Sequence, residues 1–174
     1  MTPETRGALF VLALSVIWKT LLLLTGWVDG FLGKFPLLAI LAFLLIGMFR
    51  SMEARRKLSH PDGIAFLPAF RAGMSVNALF SMLYTFFLYF YLYVLDTGFR
   101  ARFIKQRIAD LISQNTSAAN VEAWKKSSAT STWAVNFERD WILATFIGLL
   151  LIGTFYAAMT ARMMARKYPI GKPK

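Results

Sequence analysis

Four apolar stretches, each flanked by basic residues, leave this chain only one solvent in which to fold. They lie at about residues 7–26, 31–49, 73–94 and 141–161. A soluble helix carries an apolar stripe, whereas these segments are apolar around the whole circumference, which is stable only inside protein or lipid. A 174-residue chain has no aqueous core large enough to hide four of them. Hydrophobic residues reach 57% and the mean hydropathy is +0.51, both beyond the needs of a soluble domain. The pattern predicts an all-α membrane protein: a single polytopic domain over 1–174 with four transmembrane helices.

The net charge of +11 is met by the same reading. Basic patches bind nucleic-acid backbones, but membrane proteins gather Lys and Arg in cytoplasmic loops, against anionic lipid. No nucleic-acid partner is therefore needed. The absence of cysteine excludes disulfides, thiolate metal ligands and covalent haem attachment. Arg6 followed by an apolar run imitates a signal peptide, yet the run reaches Leu24 and Thr25-Gly26-Trp27 is a poor cleavage site. An uncleaved first helix is expected.

Helix two is the marginal span. Residues 35–49 fall short of the ~20 apolar residues a crossing wants. Beginning it at Phe31, with Lys34 snorkelling to the interface, restores the length, and Pro36 then sits in the first turn. Arg50 to Arg71 reads as a basic loop turning at His60-Pro61-Asp62-Gly63. Ile64 to Phe70 reads as a segment lying on the bilayer and feeding helix three. Between helices three and four, residues 96–140 form a long extramembrane loop. In it Phe103, Ile104, Ile108, Leu111 and Ile112 share one helical face, with Arg100, Arg102, Lys105 and Arg107 around the rest. This spacing predicts an amphipathic basic helix. Glu138 and Asp140 are expected just before helix four, where acids favour a helix N-terminus.

Orientation follows from the short segments. The loop from Arg50 to Arg71 and the tail from Arg162 each hold five Lys or Arg, whereas the first turn holds at most Lys34. Both termini and the middle loop are therefore expected in the cytoplasm of a bacterial inner membrane. The long loop carries seven Lys or Arg, but long segments translocate largely regardless of charge.

Few residues invite a chemical role. Lys19 is the one charge well inside an apolar span, and intramembrane ionisable groups are functional candidates by default; the simpler account is that it snorkels or pairs with Asp29, Asp96 or Asp140. Gly73, Asn77, Ser81 and Thr85 recur every four residues on helix three, and Phe80, Tyr84, Phe87 and Tyr91 form an aromatic stripe. Helix four repeats small residues at Ala144, Gly148, Gly153, Ala157 and Ala161. Small residues let backbones approach, and Ser or Asn hydrogen-bonds across, so packing is the favoured reading. Asn77, Ser81 and Tyr84 lining a lipid groove is the functional one. Arg55, Arg56, Lys57, Arg100, Arg102, Lys105 and Arg107 are expected to meet anionic headgroups. His60 lacks the converging ligands of a metal site and the oriented partner of a catalytic histidine. No catalytic residue, metal site or cofactor is expected.

Several segments together resemble a bacterial membrane family known as domain-of-unknown-function family 4199. They are the basic Met52-Glu53-Ala54-Arg55-Arg56-Lys57, then Ile64-Ala65-Phe66 leading through Ala69-Phe70-Arg71-Ala72-Gly73 into an aromatic helix closed by Leu95-Asp96. A loop of about forty residues and a last helix with a basic end follow. The resemblance implies a four-helix inner-membrane protein and brings no activity with it. The expected function is a non-enzymatic accessory or scaffold subunit of an envelope complex, one handling lipid-linked substrates, whose partners are membrane lipids and another membrane protein or a second copy. The alternatives are a small transporter or lipid-handling protein using Lys19 and the polar face of helix three, and an enzyme acting on headgroups through His60 and Asp62.

Overall fold

The computed structural model describes residues 1–27, 36–59, 63–128 and 131–168. Every regular element among them is helical: α1 (Pro3–Leu24), α2 (Pro36–Ser59), α3 (Phe66–Phe90), α4 (Phe99–Ser113), α5 (Ala118–Ser128) and α6 (Ser131–Lys167). A π-helical turn, Tyr91–Leu95, closes α3. Among the described residues, four helices are long and apolar enough to cross a membrane: Pro3–Leu24, Leu37–Leu58, Phe66–Leu95 and Arg139–Lys167. The chain is an all-α, multi-pass membrane protein.

The ends of α1 show how local chemistry sets its limits. The Thr2 hydroxyl accepts the Thr5 amide at 3.3 Å, Pro3 takes the first helical position, and Glu4 lies in the first turn. Each satisfies or complements the free amides of a helix start. At the other end the Thr25 and Gly26 amides bond back to Leu21 and Leu23. Gly26 has φ +70°, a conformation that glycine adopts without a Cβ penalty.

Three boundaries differ from those expected of the sequence. Helix α2 does not stop at Phe49 but runs through Arg50 to Ser59. Met52 to Lys57 are good helix formers, Glu53 reaches Lys57 at 3.4 Å, and Arg56 and Lys57 complement the C-terminal dipole. Lys34, His60 and Asp62 lie outside the described residues. Second, Phe66 to Phe70 is not a separate surface segment but the opening of α3 itself, with Pro68 in the first turn where its missing amide costs nothing. Third, α6 begins at Ser131, so Glu138 and Asp140 stand within it rather than before it. No proline interrupts residues 131–167, and hydropathy marks where a helix enters lipid rather than where it starts.

The chain divides into two compact units, Met1–Thr85 with Phe146–Lys174, and Phe86–Thr145. In the first, α1 packs on α2 through small residues. A Cβ on Gly7 would fall on the Ser51 hydroxyl, and one on Gly47 on the Val11 side chain. The Ser51 hydroxyl donates to the Pro3 carbonyl at 3.1 Å, and Glu4 pairs with Arg55 at 3.6 Å. Gly47 and Ser51 are four residues apart, the spacing of a close-packing face. In the second unit, Phe99 and Phe103 of α4 meet Phe137 and Trp141 of α6, with ring centroids 4.4–6.3 Å apart. These rings organise α4, while Ile112, expected on the same face, is exposed.

Candidate functional site

Helix α3 turns one face of small and polar residues toward α6. Gly73, Asn77 and Ser81 are all buried, and their four-residue spacing sets them one above another. Opposite them stand Gly153, at Asn77, and Ala157, at Gly73, both also buried. The Asn77 amide donates to the Leu150 carbonyl at 3.1 Å, and its oxygen accepts from the Ser81 hydroxyl at 3.3 Å. Thr85 continues the ladder, donating to the Ser81 carbonyl at 2.7 Å. A Cβ on Gly153 would collide with the Asn77 amide, and one on Gly73 with Met52, beside Ala157. Glycine here makes room for an interhelical hydrogen bond.

Tyr84, the remaining helix-three candidate, is buried and stacked on Phe80 at 5.4 Å. Lys19 is half-buried on α1, five residues from the helix end, and engaged by a neighbour. At about 1.5 Å per residue that end is within a lysine side chain's reach.

The seven cations expected at headgroups separate into two sets. Arg55 pairs with Glu4, Lys57 with Glu53, and Arg56 lies over the Tyr168 ring at 3.9 Å. Arg102 is turned to Asp96, with one terminal nitrogen 2.6 Å from each carboxylate oxygen. Arg100, Lys105 and Arg107 are exposed along α4.

The Asp96 cluster is a feature that sequence spacing did not bring together. The Asp96 amide bonds to the Tyr91 carbonyl at 2.8 Å, a five-residue closure that forms the π-turn. Such turns recur where a helix serves a function. The carboxylate is buried and also takes a hydrogen bond from the Tyr91 side chain. With both oxygens held, it anchors the turn between α3 and α4 instead of standing ready as a base. The only signal in the sequence was an acid ending an apolar run, six residues before an arginine. Among the described residues no three His, Asp or Glu side chains gather closely enough to hold a metal ion.

A family model described as a protein of unknown function, DUF4199, matches residues 7–166. No curated protein and no solved structure matches the chain.

Proposed function

We propose that this chain, which belongs to the DUF4199 family, is a non-enzymatic accessory or scaffold subunit of a complex in the bacterial inner membrane. The observation that carries this reading is the use made of Asn77. Both ends of its amide are engaged on α3 and α6, so this buried amide holds two helices together. That counts against the alternative in which the same face lines a transport path, where polar groups must be open to a passing substrate. The exposed cations of α4, Arg100, Lys105 and Arg107, would then rest on anionic headgroups or an acidic partner surface, each near an anionic membrane contributing about 1 kcal/mol.

Gentle detergent extraction followed by mass spectrometry tests the assignment. A stoichiometric membrane-protein partner, or a defined homo-oligomer, is expected; a monodisperse lone monomer would overturn it.

Orientation has a separate test, made simple by the absence of cysteine. Single substitutions Thr2→Cys and Ser59→Cys are expected to be blocked only by a membrane-permeant thiol reagent in intact cells. Asn120→Cys, on α5, is expected to react with an impermeant one. The reverse pattern would place both termini outside.

A further inference from the structure

The basic end of α6 carries a feature that the scaffold reading does not use. Phe155, Met159, Arg162, Met163 and Arg166 recur at helical spacing along one face. Together with Phe66 of α3 they line an open groove of about 700 Å³. The apolar part is exposed, with Phe155 66% and Met163 57% accessible. Arg162 and Arg166 stand toward the C-terminal end of this face, and both are exposed. Neither has an acidic partner among the described residues, in contrast to Arg55, Lys57 and Arg102.

We propose that this groove binds one anionic phospholipid, its phosphate between Arg162 and Arg166 and an acyl chain along Met163, Met159 and Phe155. Length supports one lipid of one leaflet. From Phe155 to Arg166 the helix rises about 17 Å, close to half of the ~30 Å hydrocarbon core. Charge supports an anionic headgroup: two arginines four residues apart can share one phosphodiester through charge-assisted hydrogen bonds. A choline headgroup would bring a cation of its own against them. The lining suits an acyl chain, because methionine adapts its shape to irregular apolar partners. The groove lies wholly within the first compact unit, at the end where Ile64 donates its amide to the Tyr168 carbonyl at 2.9 Å.

The test is native mass spectrometry of the full chain in mild detergent, titrated with palmitoyl-oleoyl phosphatidylglycerol or the corresponding phosphatidylcholine. A one-to-one phosphatidylglycerol adduct is expected at concentrations where phosphatidylcholine gives none. The double variant Arg162→Gln/Arg166→Gln should weaken it roughly ten- to thirty-fold, as removal of two cations near an anionic group implies. Arg6→Gln/Arg139→Gln, which removes the same charge from exposed positions outside the groove, should leave it unchanged. Met159→Trp fills the groove without touching charge and should weaken the adduct several-fold. Equal binding of the two lipids, or equal loss in both arginine pairs, would mean bulk charge attraction and overturn the site. Displacement by an equal concentration of glycerol 3-phosphate would also overturn it, since the apolar groove would then contribute nothing. So would efficient disulfide cross-linking of Met163→Cys between two copies without any lipid adduct, which would assign the groove to a protein partner.

Discussion

Gly153→Leu is expected to destabilise the folded chain by about 3 kcal/mol, from overpacking of a filled interface and loss of an interhelical hydrogen bond. Any Cβ at this position meets the Asn77 amide itself. The larger side chain must therefore push α6 from α3 or turn Asn77 out of its bond to the Leu150 carbonyl. Gly148, five residues earlier on the same helix, has nothing within 4 Å of the same test atom. Gly148→Ala should be neutral or slightly stabilising, because alanine is the better helix former by up to about 1 kcal/mol. Detergent-denaturant unfolding followed by tryptophan fluorescence would measure both. A compensating pair sharpens the result: Gly153→Ala combined with Asn77→Ala should cost less than the two single changes added together, since the second vacates the space the first invades. Additive costs would mean that the two residues do not share one contact.

The α3–α6 interface was legible in the sequence because its determinants are periodic. Gly73, Asn77 and Ser81 on one helix, and Gly153, Ala157 and Ala161 on the other, announce close approach by residue size and four-residue spacing alone. Periodicity also overreached: Ala144 and Gly148 continue the small-residue stripe in sequence, but Gly148 has open space beside it. A stripe shows where a neighbour could approach, and the contact depends on where the neighbour ends. The aromatic stripe did not overreach: Phe80, Tyr84 and Tyr91 are buried, and the exposed rings, Phe86, Tyr89 and Phe90, lie off it, as lipid-facing rings of a spanning helix can.

Helix limits were the least legible part, for one physical reason. Hydropathy reports the transfer of side chains into lipid, whereas a helix continues as long as its backbone bonds and caps allow. The charged run from Arg50 to Ser59 and the polar run from Ser131 to Asp140 therefore read as loops but are helical. This matters for the cations. On a helix, Arg55 and Lys57 find Glu4 and Glu53, and Arg56 finds the Tyr168 ring. The basic segment thereby ties together α1, α2 and the end of α6, a role its composition alone could not reveal. Arg162 and Arg166, which composition had assigned only to a basic tail, are left as the pair facing an apolar groove.

Arg102→Ala is the second change expected to have a large effect, about 3 kcal/mol, and its asymmetry is diagnostic. The Asp96 side chain is 2% exposed and that of Arg102 is 32% exposed. Removing the arginine strands a carboxylate that is almost wholly shielded from water, the costly way to break a buried pair. Asp96→Ala leaves a cation that can swing into solvent or toward headgroups, so about 1–2 kcal/mol is expected once screening is allowed for. The double variant should be more stable than Arg102→Ala alone, because no charge is left buried. Arg102→Lys should retain most of the stability. Arginine usually outperforms lysine by forking two nitrogens onto two oxygens, but here a single nitrogen contacts both, a geometry that one ammonium can imitate. Thermal unfolding of the four variants in mild detergent orders them. If Asp96→Ala proved as damaging as Arg102→Ala, the carboxylate would be stabilising the π-turn at Tyr91–Leu95 through its other contacts, among them the hydrogen bond from the Tyr91 side chain.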